Sequence, residues 1–389
     1  MTLASKLPEV GTTIFTTMSQ MATEHQAINL GQGFPDFSPD KNLIAAVNQA
    51  MLNGKNQYPP MSGIPELRKV VAEKIRSSHG HQYNADSEIT ITHGASQALM
   101  ATILALVHQG DEVIIIEPVY DLYRPAIKLA GGVAVSIPML TPDNDTGRYR
   151  VDWQRVKDAI TSKTTLLILN FPHNPTGINL LETDLDALET IVQQTGITIL
   201  SDEVYEHIVF DNDIHRSLCQ RPALAERSVI VSSFGKTLHI TGWKTGYCCA
   251  PASLMAEIRK IHQFDVFTVS HPMQAGLANY LTDHAPYLTL SDFYKEKHDR
   301  LYQGLQQTRL KPIKSEGTFF LLASYADISQ QSEQAFAEWL TVEKGVTAIP
   351  VSAFYGNPQA ETSNHQLLRF CFAKSDQVLD DAVDRLKTL

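Results

Sequence analysis

Cysteine is scarce: Cys219, Cys248, Cys249 and Cys371 are the four in 389 residues, and none forms a C-x-x-C pair. That pattern supplies neither a disulfide framework nor a thiolate zinc site. The adjacent Cys248 and Cys249 read instead as small apolar residues of a buried strand. Long apolar runs are missing too. None approaches the roughly 18 residues a membrane helix needs, and the opening Met-Thr-Leu-Ala-Ser-Lys-Leu-Pro lacks the apolar stretch of a secretion signal, so a cytoplasmic protein without a membrane partner is expected. Basic charge is in deficit: 42 acidic against 32 basic side chains leave a formal charge of -10. No dense basic face remains for a polyanion, which argues against nucleic acid as a partner. No G-x-G-x-x-G follows the first predicted strand, which argues against a nicotinamide dehydrogenase. The 14 histidines, His173 and His207 among them, show no H-E-x-x-H or other ligand spacing, so no metal is expected.

What is present is an ordinary globular composition with 43% hydrophobic residues. The length accommodates two or three domains at roughly 150 residues each. Between residues 63 and 263, helical periodicity alternates with short β-branched runs, the pattern of helices covering a mostly parallel sheet. Ile64, Leu67, Val71 and Ile75 make one apolar stripe of a helix over 63–80. Strands are predicted at 88–92, 113–117, 165–170, 197–202, 229–234 and 247–250, and helices at 95–108, 120–130 and 253–262. After a helical stretch at 290–308 the order becomes strand (318–323), helix (333–344), strand (346–351), strand (367–372) and helix (376–387), a smaller α+β unit. No repeat, low-complexity tract or long polar linker separates the parts, so they should share a substantial interface.

Three strand ends carry chemistry. Ser232-Ser233-Phe234-Gly235-Lys236-Thr237 closes one strand and leads to Thr241-Gly242-Trp243-Lys244. An amine there can form an imine with a phosphorylated aldehyde, while Ser233 and Lys244 hold an anionic phosphate. A solvated surface lysine is the plain alternative for Lys236 taken alone. Asn170-Phe171-Pro172-His173-Asn174-Pro175-Thr176-Gly177 is a Pro- and Gly-stiffened loop presenting Asn174, or a plain turn. Ser201-Asp202-Glu203-Val204-Tyr205 ends the next strand with an acid and a phenol, which a solvated loop would also tolerate. Position favours function, because ligands of open α/β sheets bind beyond the carboxyl ends of the strands.

In this order these stretches resemble the class I aminotransferases of the fold-type I pyridoxal-phosphate enzymes. The likeness runs from Asn29-Leu30-Gly31-Gln32-Gly33-Phe34-Pro35-Asp36-Phe37 to Leu368-Arg369-Phe370-Cys371-Phe372. It is strongest toward the group holding methionine and kynurenine or glutamine aminotransferases. The resemblance implies a large α/β domain with a mostly parallel central sheet over 45–280, and a smaller α+β domain built from both termini, 1–44 and 281–389. It implies pyridoxal 5'-phosphate bound to Lys236 as a Schiff base, with Lys236 then shuttling the proton at the substrate Cα through two half-reactions of a ping-pong cycle. Asp202 matches the acid that keeps the pyridine nitrogen protonated, and Asn174 and Tyr205 the groups on the ring's 3' oxygen. Phosphate would be held by Ser233, Lys244 and the N–H groups of Ala95 and Ser96 at a helix start. Where many relatives carry arginine, Lys244 keeps the charge and loses the fork. Tyr120 matches the aromatic stacked on the ring, with a core aromatic as its plain alternative. Arg369 and Gly33 match the pair that grips the substrate carboxylate. Tyr58 matches a tyrosine that reaches the neighbouring subunit's phosphate, which makes the expected protein a homodimer with shared active sites.

Phe267, within Phe264-Asp265-Val266-Phe267-Thr268, falls where relatives lend substrate-facing residues across the dimer, and Phe15 lies in an N-terminal segment that can close over the pocket, so an apolar side-chain pocket is expected. No second arginine stands within 264–270 for a distal carboxylate. The expected donors are methionine and aromatic amino acids including kynurenine, with glutamine a further candidate. A C–S β-lyase of the same fold is the alternative, since it would share the lysine, the acid and the phenol. A non-catalytic regulator would be expected to carry a DNA-binding module, for which the family pattern, starting by about residue 10, leaves no room.

Overall fold

The computed structural model describes residues 4–142, 147–211, 213–283 and 285–389. Among these residues seven strands form the main sheet: β1 (Ile89–Thr92), β2 (Glu112–Glu117), β3 (Val133–Pro138), β4 (Thr164–Asn170), β5 (Thr198–Asp202), β6 (Ser228–Ser233) and β7 (Gly246–Cys249). Their order across the sheet is β1-β7-β6-β5-β4-β2-β3. Pairings not involving β7 are parallel, and β7 runs antiparallel to both neighbours. Val113 to Ile116 and Leu166 to Leu169 are buried along their whole length, as expected of strands covered by helices on both faces. Each such side chain contributes about 1.5–3 kcal/mol of burial energy. Cys248 and Cys249 are fully buried in β7.

The helix over Pro65–His79 begins with proline and ends at Gly80 in the left-handed conformation (φ 73). That is the asymmetry expected of a helix start and stop. The helix Gly94–Leu106 turns Ala98, Leu99, Ala101 and Ile103 inward and packs against β6, β7 and the helix Ala252–Asp265.

A second, antiparallel sheet is built from β8 (Lys311–Ile313), β9 (Phe320–Ser324), β10 (Ile349–Pro350) and β11 (Leu367–Cys371), in the order β10-β11-β9-β8. Here the predicted strand at 346–351 is corrected. Val346 and Thr347 pair in parallel with Ile28 and Asn29, whereas Ile349 and Pro350 pair with Arg369 and Leu368. The chain changes sheets at Ala348, and Pro350 has no N–H with which to continue a ladder. Among the described residues no helix is long and apolar enough to cross a membrane.

Parallel register brings the chemistry to one edge. Asn170 lies opposite Asp202, and Asp202 opposite Val231, so the last residues of β4, β5 and β6 reach the same rim.

Candidate active site

Beyond β6 the backbone makes a single helical turn, Phe234–Thr237, started by the Ser233 hydroxyl accepting the Gly235 N–H at 3.1 Å. Lys236 sits on this turn rather than on the strand. Its Nζ donates to the Gly33 carbonyl at 3.0 Å and lies 5.3 Å from the ring centres of Tyr205 and Phe319. Burial, reinforced by the positive charges of Arg369 and Lys244, brings this amine down to about 8. A neutral, nucleophilic form is therefore accessible near neutral pH.

At the end of β5, Asp202 is 4% exposed. Burial raises its carboxyl to about 6, opposed first by the hydrogen bond from Tyr123, whose Oη donates to Oδ2 at 2.6 Å. The backbone oxygen of Asp202 accepts the Asn170 amide at 2.9 Å, and Asn170 Oδ1 accepts the Asn174 N–H at 3.0 Å. Asn170 thus fixes the spacing between the acid and the Asn174 loop. Tyr205 is buried, which raises its phenol far above the ordinary range.

Arg369 comes from β11, opposite Leu322. It is 2% exposed, and its Nη1 and Nη2 donate to Asn174 Oδ1 at 2.7 Å and the Gly31 carbonyl at 2.9 Å. Both acceptors are neutral, and Nε has no partner among the described residues. Burying a guanidinium is costly unless it meets an anion. Its carbon stands 3.8, 4.9 and 5.2 Å from the ring centres of Phe320, Phe354 and Phe15, so aromatic faces hold it in place.

The opposite corner suits an anion. Gly94 (φ 72) opens the helix carrying Ala95 and Ser96, and a Cβ added to it would stand 3.4 Å from Lys244 Nζ. On Gly246 a Cβ would come within 2.9 Å of the Ala95 N, so β7 presses directly on the helix start. Helix N–H groups, an ammonium and the Ser233 hydroxyl converge there.

All the candidates except Tyr58 and Phe267 line one cavity of about 360 Å³: Phe15, Gly33, Ala95, Ser96, Tyr120, Asn174, Asp202, Tyr205, Ser233, Lys236, Lys244 and Arg369. Tyr58 is 82% exposed and meets Phe267 edge to face at 5.6 Å on a separate surface. Within one chain these two do not join the cavity, because both rings face outward. Tyr120 precedes its helix, which begins at Tyr123 and not at 120 as expected. The sequence pattern did not single out Tyr123, Phe320 or the Gly31 carbonyl. For Phe320 the available signal was strand alternation, which puts it on the same face of β9 as Leu322, the residue opposite Arg369.

A model of the family "Aminotransferase class I and II" matches residues 25–386. The chain belongs to this family. Methionine aminotransferase of Escherichia coli (strain K12) is 47% identical over 386 residues, 99% of this chain and 98% of the relative. Kynurenine--oxoglutarate transaminase of Dictyostelium discoideum is 34% identical over 411 residues, covering 97% of this chain and 94% of its own. Among solved structures, YbdL from Escherichia coli, reported with a methionine aminotransferase function, superposes with a TM-score of 0.95 at 46% identity over 100% of both chains. The fold is accordingly that of the fold-type I aminotransferases, and the substrates of this aminotransferase are small molecules. Membership implies pyridoxal phosphate, and the residues fit it. The cavity joins an anion corner, a tyrosine ring, a buried acid, a buried amine brought down to about 8 and the buried Arg369, whose Nε has no partner among the described residues.

Proposed function

We propose that this aminotransferase transfers the α-amino group of methionine or an aromatic amino acid, kynurenine included and glutamine as a further donor, to a 2-oxo acid. One observation carries the reading. Arg369 is the single guanidinium among the described residues lining the cavity, and Phe15, Phe34 and Phe320 are among the side chains that line it with Arg369. Among the described residues of one chain, a carboxylate at the α position meets a guanidinium there and a second, distal carboxylate meets none. The names of the methionine and kynurenine relatives support the same reading.

Pyridoxal phosphate would be held by Ser233, Lys244 and the N–H groups of Ala95 and Ser96, with Tyr120 against its ring and Asn174 and Tyr205 on its 3' oxygen. Bound there, it supplies an aldehyde that exchanges amino groups and a pyridinium that draws electrons from Cα. Lys236 holds the aldehyde end, and its amine takes the proton from the substrate Cα and returns it in the reverse half-reaction. Asp202 keeps the ring nitrogen protonated. Arg369 and Gly33 hold the substrate carboxylate so that the Cα–H bond faces Lys236. In the same reading two chains form a homodimer, Tyr58 and Phe267 of each completing the cavity of the other, and the protein works in the cytoplasm. The large domain spans 45–280, and 1–44 with 281–389 form the small one.

The test is kcat/KM for methionine, phenylalanine, kynurenine, glutamine and aspartate with one oxo acid. Methionine or an aromatic donor should lead, and aspartate in first place would overturn the substrate class. Release of pyruvate and ammonia from cystathionine without any oxo acid would favour the lyase instead. Borohydride trapping with peptide mapping should place the cofactor on Lys236 and nowhere else.

A further inference from the structure

Behind Asp202 stands the phenol of Tyr123, 1% exposed, at the first residue of the helix Tyr123–Leu129. Among the described residues two donors reach the Asp202 carboxylate: Tyr123 Oη to Oδ2 at 2.6 Å, and the Val204 N–H to Oδ1 at 3.4 Å. The first has the length of a strong charge-assisted bond and the second lies at the outer limit of a hydrogen bond. Asn170, the other amide nearby, bonds the Asp202 backbone oxygen and not the carboxylate. A buried carboxyl with so little help would keep its own proton. We propose that Tyr123 is a positioning residue for Asp202: its phenol takes Oδ2, fixes the rotation of the carboxylate, and leaves Oδ1 as the acceptor for the cofactor's ring N–H. This rests on the reading of Asp202 as the partner of that nitrogen.

Two further features fit the role. Burial and the neighbouring Asp202 push the Tyr123 phenol far above its ordinary range, so it stays a donor at every working pH. The Tyr123 ring also meets Tyr120 edge to face at 5.7 Å and 81°. One side chain therefore braces both the acid and the aromatic proposed to lie against the cofactor.

Tyr123→Phe removes a single oxygen and keeps the ring, so packing survives, and Tyr123→His returns an N–H donor as a second variant. The cofactor-free proteins are followed by infrared spectroscopy of the protonated carboxyl across pH, with Asp202→Asn subtracted, and pyridoxal phosphate affinity is measured in parallel. In Tyr123→Phe, Asp202 should become about tenfold weaker as an acid and the cofactor Kd should rise about tenfold, the weight of one hydrogen bond to a charged group. Tyr123→His should recover part of both. A Tyr123→Phe carboxyl that titrates like the wild type overturns the proposal. So does an unchanged cofactor affinity, and here Asp202→Asn tells the two failures apart: if it weakens binding, Tyr123 alone is misread, and if it does not, the role given to Asp202 falls as well.

Discussion

Replacing Arg369 with lysine keeps the charge and destroys the fork. In the free protein the guanidinium bonds Asn174 and Gly31, and Nε has no partner among the described residues. Those protein contacts are missing from the variant with or without substrate, so they bear on stability and largely cancel from kcat/KM. What does not cancel, if Arg369 has its proposed role, is the second of two parallel bonds to the substrate carboxylate, since lysine offers a point charge in place of a planar pair of donors. One hydrogen bond to a charged group is worth about 1.5–3 kcal/mol, and each 1.4 kcal/mol is tenfold, so kcat/KM for methionine should fall roughly 10- to 150-fold. The assay compares methionine with 3-(methylthio)propylamine, which has the same side chain and no carboxylate. Arg369→Lys should spare turnover of the amine. Equal losses on both compounds, or a loss on methionine under about threefold, would refute the assignment.

Other outcomes follow from the same cavity. Lys236 falls from an ordinary 10.5 to about 8 because burial disfavours its charged form. Below about 8 the folded chain holds that costly charge. Between about 8 and 10.5 the unfolded chain binds more protons, so wild-type stability rises with pH. Cofactor-free Lys236→Met should therefore be more stable at pH 7 by an amount on the order of 3 kcal/mol, fading toward pH 10.5; equal denaturant midpoints at pH 7 would count against it. Gly33→Ala would set a Cβ 2.6 Å from Phe320 Cζ, beneath the Arg369 guanidinium. It should raise KM for methionine more than it lowers kcat in steady-state assays, and a pure kcat effect would contradict that.

Much of the sheet was readable because its strands are short apolar β-branched runs: β2, β4, β5 and β6 fall within a residue or so of the expected spans. The edge strand β3 was not, since Val133 is 54% exposed and Ala134 and Ser136 weaken the apolar pattern. Lys236, Asp202 and Asn174 could be picked out because all three lie at or just beyond strand ends. Tyr123 could not, because a helix drawn from 120 makes it one more aromatic on an apolar face, and its partner is 79 residues away. Arg369 was visible as a charge in an apolar strand, whereas its aromatic surroundings depend on the pairing of β9 with β11, which no local pattern reveals.

The antiparallel insertion of β7 has a consequence for the order of assembly. Among the described residues β1 has one strand neighbour in the sheet, β7, and β7 in turn lies between β1 and β6. The helix that starts just after β1 and the Lys244 ammonium meet only once Gly246 has been laid against Ala95, roughly 150 residues further along the chain. A ribosome must therefore release the polypeptide to beyond Cys249 before the anion corner exists. A growing chain shorter than that carries most of its parallel strands but not the contact between Gly246 and Ala95, so this corner is completed only after β7 has been made.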